Sequence, residues 1–205
     1  IQAHRKHDLH LQITRPDGTP YSEKNIRVRQ LKHAFHFGVA LKQPYFSELD
    51  ALESSAGKRV ASYNWAFDLH ERFKLVNQFA TQVGFANAFK YKLSADKDPT
   101  HMMEKVIPRL RSMGMSIRGH TLIWPGWKHM HANALLLKEK PNALSSFCDE
   151  QIKNYASQWD VDEWDVINEP RTNHDIQDIL GRDCIVDWFK IAREHAKNSD
   201  AGLYL

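Results

Sequence analysis

The sequence predicts an α/β fold with a parallel sheet, because short apolar runs alternate with helix-period segments along most of its 205 residues. Strand-like runs fall near positions 37, 84, 117, 166 and 204, and each gap between them holds apolar residues at three- and four-residue steps. The second observation concerns where the polar residues gather. Asn87 and Lys90 follow the second run, His120 and Trp124 the third, Asn168 and Glu169 the fourth. Parallel sheets bind ligands beyond the carboxyl ends of their strands, so these clusters mark a site.

Composition bounds the partners. Hydrophobic residues are 42% and charged residues 26%, ordinary for a globular domain. A net charge of +3 with both signs interspersed points away from nucleic acid and acidic membranes. No apolar run approaches the ~18 residues of a membrane span. Cys148 and Cys184 have neither metal-site nor disulfide-framework spacing. The chain opens at Ile1 with no signal-like segment, so an upstream piece is expected.

At the N-terminus, 8–14 and 26–30 alternate apolar and polar around Arg15-Pro16-Asp17-Gly18-Thr19-Pro20. Pro presets φ and Gly tolerates a positive φ, so an antiparallel strand pair is expected over residues 1–32. The α/β part then spans 33–205. Phe35 to Ala40 reads as a buried strand and 47–60 as a surface loop. A helix over 62–82 carries Trp65, Leu69, Phe73, Val76 and Phe79, and a short strand follows at 83–86. The next helix opens at Asp98-Pro99, bears Met102, Val106, Leu110 and Met113, kinks at Pro108 and ends at Gly114. A strand at 115–118 runs into the Gly119 to Trp127 segment. A helix over 141–159 points Leu144, Phe147, Ile152, Tyr155 and Trp159 inward. A further helix at 182–197 precedes a strand at 201–205.

The most informative stretch is Glu163-Trp164-Asp165-Val166-Ile167-Asn168-Glu169-Pro170. Trp164 to Ile167 reads as a buried strand, and Pro170 stops the ladder. By itself Asn-Glu-Pro is a polar turn. Delivered to a strand mouth beside other polar residues, it suits sugar chemistry. A carboxylic acid can protonate a glycosidic oxygen, and an amide can grip a neighbouring hydroxyl. Trp124 can stack on a sugar face, and Lys90 and His120 can donate to hydroxyls.

These residues resemble the family 10 glycoside hydrolases, the xylanases. Arg118-Gly119-His120-Thr121-Leu122-Ile123-Trp124 and Trp164-Asp165-Val166-Ile167-Asn168-Glu169 are similar to that family's third- and fourth-strand motifs. Phe35-His36-Phe37-Gly38-Val39-Ala40 and Asn87-Ala88-Phe89-Lys90-Tyr91 are similar to the first and second. The resemblance runs over 33–205. It implies a TIM (β/α)8 barrel, present as an incomplete barrel of about the first four βα units plus the fifth strand. It also implies hydrolysis of internal β-1,4 bonds of xylan or a related plant cell-wall polysaccharide with retention of configuration. By that resemblance Glu169 is the acid/base, Asn168 binds the hydroxyl beside the reacting carbon, and Asn87, Lys90, His120 and Trp124 line the sugar subsite. No metal or cofactor is implied. Secretion and a monomeric full-length enzyme are expected on the same ground.

Three positions depart from the family pattern. Ala86 stands where Glu is usual, Tyr91 where Trp is usual, and Pro125-Gly126-Trp127 where a second His commonly follows. The family's nucleophile is a Glu after the seventh strand. Glu163 and Asp165 are expected to point along the strand or away, and Glu150 lies on a helix. The 205 residues are therefore expected to be a fragment, inactive and aggregation-prone alone, since five strands cannot close a barrel. Two rival readings are a catalytically dead carbohydrate-binding relative, motivated by Ala86, and a metal-dependent hydrolase, motivated by His129 and His131. No His-Glu-x-x-His spacing supports the second.

Overall fold

The computed structural model describes residues 10–21, 27–29, 35–41, 69–95 and 97–205, with the backbone alone for 69–73. The chain divides into two compact units, Ile1–Phe35 and His36–Leu205. Within the first, the Arg15-to-Pro20 turn closes tightly. Thr14 and Pro20 form an antiparallel bridge, and Asp17 Oδ1 accepts from the backbone and hydroxyl of Thr19. Among the described residues the antiparallel pairing is confined to this bridge, because the turn brings Thr14 back onto Pro20 instead of onto 27–29.

The second unit is built on five parallel strands: β1 (Gly38–Leu41), β2 (Gln82–Phe85), β3 (Ser116–Ile123), β4 (Glu163–Ile167) and β5 (Gly202–Tyr204). Their order in the sheet is their order in the chain. A doubly wound sheet reverses direction and binds at the reversal. This sheet never reverses, which is the winding of a (β/α)8 barrel, here unclosed with β1 and β5 at its edges.

Alternation along the strands separates two faces. Val83, Phe85, Ile117, Trp164 and Val166 are fully buried, while Arg118, His120, Glu163 and Asp165 form a half-buried polar face. The helices are α1 (Leu69–Phe79), the short α2 (Tyr91–Ser94), α3 (Ile107–Ser112), α4 (Ala132–Leu135), α5 (Pro141–Gln158), α6 (Asp175–Leu180) and α7 (Cys184–His195), of which α2, α3, α5 and α7 pack on the strands and α6 packs on α5 and α7. In the core Phe89 meets Phe85, Trp159 and Trp164 edge to face, with centroids 5.6, 5.0 and 5.7 Å away. Such pairs add about 0.5–1.5 kcal/mol each beyond burial. Leu144, Ile152, Tyr155 and Trp159 of the α5 region are buried as the helical period predicts, and Phe147 is partly so. Cys148 is free and buried beside them, and burial pushes its thiol up to about 12.

Several elements differ from the sequence expectation. The 47–60 loop and the 62–68 start of the first helix lie outside the described residues. The first strand, read as buried over Phe35–Ala40, is confined to Gly38–Leu41 at the sheet edge, and Phe35 and Phe37 are exposed. Val76 of α1 and Ala80 just beyond it pack on the core while Phe79 is exposed. The kink at Pro108 takes the form of a π-helical segment, Met102–Val106, with α3 restarting at Ile107 and the proline in its first turn. Pro has no N–H to continue the ladder, and its ring displaces the preceding turn's carbonyl. The third strand continues to Ile123, so His120 is a strand residue and Trp124 stands at the strand's end.

Candidate active site

The polar face of β3 and β4 forms the floor of the site. His120 pairs with Asp165 in the ladder, and its Nδ1 lies 2.8 Å from Asp165 Oδ2. Arg118 donates to Asp165 Oδ1 through Nε at 3.0 Å and to Glu163 Oε2 through Nη1 at 2.9 Å. The Arg118 guanidinium also lies 4.6 Å from the Tyr204 ring centroid. The expectation that Glu163 and Asp165 point along or away from the strand is thus corrected. Strand alternation puts them on the same face as Arg118 and His120. Burial pushes the Asp165 carboxyl up, but hydrogen bonds and charge from His120 and Arg118 outweigh it and hold it below the usual carboxylate value.

The β3–β4 ladder is irregular between His120 and Ile123, and the His120–Thr121 peptide is cis. Thr121, only 2% exposed, donates its hydroxyl to the Asp165 carbonyl at 2.7 Å there. Beyond β4, the Asn168 N–H donates to the Ile123 carbonyl at 2.9 Å, which seats Asn168 at the mouth of the sheet.

Glu169 follows with φ of 49°, the one non-glycine residue with positive φ among the described residues. A side chain in this left-handed region costs about 1–3 kcal/mol, and such strain collects at functional sites. Asn173, 7% exposed, holds the carboxyl in place, its Nδ2 donating to Glu169 Oε2 at 3.0 Å. Asn173 did not stand out in the sequence. Its partner Gly126 gives the physical sense of the Pro125-Gly126 departure. A Cβ at Gly126 would lie 2.9 Å from Asn173 Oδ1, so only glycine lets the two loops approach. Trp127 N–H to Asp175 Oδ2 at 2.8 Å and Ile176 N–H to the Pro125 carbonyl at 3.0 Å join the same loops.

The opposite wall carries Asn87, Lys90 and Trp124. Lys90 Nζ donates to Asn87 Oδ1 at 3.3 Å and sits 5.0 Å from the Trp124 ring centroid, a cation–π distance. His129 stacks flat on Trp124, with centroids 3.4 Å apart and planes 8° from parallel. One face of the indole is therefore covered by an imidazole before any sugar arrives. Burial holds His129 below the ordinary histidine value, Lys128, Lys92 and Lys90 push the same way, and Glu169 opposes them. The neighbouring His131 accepts from the Asn133 N–H through Nδ1 at 3.3 Å and meets the Tyr91 ring edge-on. Among the described residues no three His, Cys, Asp or Glu side chains converge as a metal site.

Asn87 and Lys90 follow β2, Trp124 follows β3 and Asn168 and Glu169 follow β4, while His120 lies within β3; beside them stand Asn173, His129, Arg118 and Asp165. The fold and site define an unclosed (β/α)8 barrel with an amide–acid pair at the mouth of its fourth strand. The chain belongs to glycosyl hydrolase family 10, whose family model matches residues 48–205. Its fold is similar to native xylanase 10B from Thermotoga maritima, with TM-score 0.62 and 19% identity over 82% of this chain and 49% of that one. It is also similar to a GH10 endoxylanase retrieved from a sugarcane soil metagenome, with TM-score 0.60 and 20% identity over 83% of this chain and 49% of that one. A GH10 structure from Paenibacillus barcinonensis follows, with TM-score 0.58 and 17% identity over 82% and 49%. The chain spans about half the length of these solved structures. No curated protein matches it. Among the described residues no helix is long and apolar enough to cross a membrane.

Proposed function

We propose that the chain carries the acid/base half of a retaining glycosidase that cleaves internal β-1,4 bonds of xylan or a related plant cell-wall polysaccharide outside the cell. The observation that carries this reading is Glu169. It stands at the mouth of β4 in a left-handed backbone, its carboxyl oriented by Asn173, in a chain of glycosyl hydrolase family 10. The solved structures of similar fold include proteins described as endoxylanases and xylanases.

In the first step Glu169, protonated, gives its proton to the glycosidic oxygen as a second carboxylate attacks the anomeric carbon. In the second, ionised Glu169 takes a proton from the water that displaces the enzyme from the sugar. Asn168 and Lys90 hold hydroxyls of the reacting sugar, and His120, fixed by Asp165, holds another. Asp165 is committed to Arg118 and His120. The family resemblance assigns the nucleophile to a Glu after a seventh strand, outside these 205 residues, about 5–5.5 Å from Glu169 in the assembled site.

The test is hydrolysis of xylan by the protein at its natural full length, with Glu169→Gln beside it. General acid–base catalysis contributes about 10²–10⁴-fold, so the variant should lose that much in kcat on xylan. It should lose less on aryl glycosides whose leaving groups need no proton. An unchanged xylan rate in the variant overturns the assignment. Sugar binding without turnover in the unaltered protein would favour a carbohydrate-binding relative.

A further inference from the structure

Beside the acid/base site lies a cavity of about 220 Å³ whose far side the proposed reaction does not use. It shares Lys90, Trp124 and His129 with the site and reaches past Lys92 and Lys128 to Gln151 of α5. Three lysines line it, and no Asp or Glu does. Gln151 is 4% exposed, and its Nε2 donates to the Leu122 carbonyl at 2.6 Å. That bond settles which way the amide faces and leaves Oε1 buried without a partner among the described residues. Trp124 Nε1 is buried and unpartnered in the same way. Buried polar atoms are rarely left unsatisfied, so the cavity wants an occupant with polar groups of its own.

The unmet groups describe that occupant. The ammonium groups and the indole N–H call for an oxyanion and further acceptor oxygens, while Gln151 Oε1 calls for a hydroxyl donor. Lys92 gives one of its protons to the Lys128 carbonyl and keeps the others. The volume falls below the ~300–1,000 Å³ of pockets for drug-sized ligands, which suits one small unit. We propose that this cavity binds a carboxylate-bearing sugar, a uronic acid branch of the polysaccharide held in the adjoining cleft. The proposal rests on the glycosidase reading above and names the substrate class within it. Lys92 and Lys128 meet the carboxylate, and Gln151 accepts from a ring hydroxyl. Burial is the main reason His129 is shifted down, and the lysines of the lining, Lys128, Lys92 and Lys90, add to it in the same direction.

The experiment is calorimetric titration of the protein at its natural full length with two ligands. One is a xylo-oligosaccharide bearing a single glucuronic acid branch, and the other is the same oligosaccharide unbranched. The branched ligand is expected to bind about tenfold tighter at low salt, with the advantage shrinking as ionic strength rises. Lys92→Gln with Lys128→Gln should abolish the advantage and leave unbranched binding unchanged, while Lys92→Arg with Lys128→Arg should keep it. Should the glutamine variant fail to fold by circular dichroism, the salt dependence of the unaltered protein decides. Equal binding of the two ligands by the unaltered protein overturns the uronate cavity and leaves the glycosidase reading standing. Binding of neither overturns both. Inorganic phosphate competing as well as free glucuronate would overturn the sugar assignment, because Gln151 would then contribute nothing.

Discussion

Gly119 of β3 pairs with Trp164 of β4, and a Cβ added at Gly119 would lie 2.3 Å from the indole ring. Trp164 is fully buried and held edge-on by Phe89, so it has nowhere to retreat. Gly119→Ala should therefore destabilise the fold by about 1–3 kcal/mol or more, the usual cost of overpacking a core. Urea unfolding of the variant measures it. A midpoint equal to the parent's would mean that the two strands are not in this close contact.

Asp165→Asn removes the carboxylate that orients His120 and anchors Arg118. A misplaced sugar-binding group can cost on the order of 10²-fold, and that loss is expected in kcat/KM for xylan at full length. The same carboxyl has a folded value below its ordinary 3.8. Its stabilisation is present above 3.8 and lost as pH falls through the lower folded value. Acid unfolding of the variant should lack that part of the slope. An identical acid limb in both proteins would remove Asp165 from the account.

Asn173→Ala releases the Glu169 carboxyl without touching the strand that delivers it. The expected result is roughly a tenfold loss in kcat with KM little changed, since only the placement of the proton donor is affected. A change confined to KM would assign Asn173 to sugar binding.

How far these features could be read in advance differs by residue. Strands β2 to β5, the long helices between them and the mouth positions of Asn168 and Glu169 follow from period and punctuation, which are local properties. The short helices Tyr91–Ser94, Ala132–Leu135 and Asp175–Leu180 were not legible, because they span little more than a turn or two. Asn173 was not legible, because its role depends on Gly126 bringing a loop 47 residues earlier in the chain against it. His129 was weighed as a possible metal ligand. Its stacking on Trp124 depends on the Trp127–His129 3-10 turn, which periodicity does not reveal. Asp165 was misjudged for a different reason. A buried-strand reading of Trp164 to Ile167 hides the alternation that turns Asp165 toward His120.

His129 also yields a pH prediction. Its folded value lies below the ordinary 6.5. Above 6.5 the imidazole is neutral folded and unfolded, and no stability is lost. As pH falls through 6.5 the unfolded chain takes the proton first, so stability declines until the folded value is reached. His129→Gln should flatten this decline in thermal melts recorded between pH 7 and 5, values chosen to bracket the ordinary histidine range. An equal slope in both proteins would show that the stacked ring carries no such penalty.

The sheet's strand order has a consequence for how the chain is made. Because β1 to β5 stand side by side in the order of synthesis, each strand emerging from the ribosome finds its neighbour already present. No strand waits for a later one to be inserted between itself and its predecessor. Closing a loop costs more entropy the longer it is, and here every parallel pairing closes only one βα unit. Assembly can proceed by accretion from β1 onward, so that Glu169, at the end of β4, is set on a platform of earlier strands as it appears.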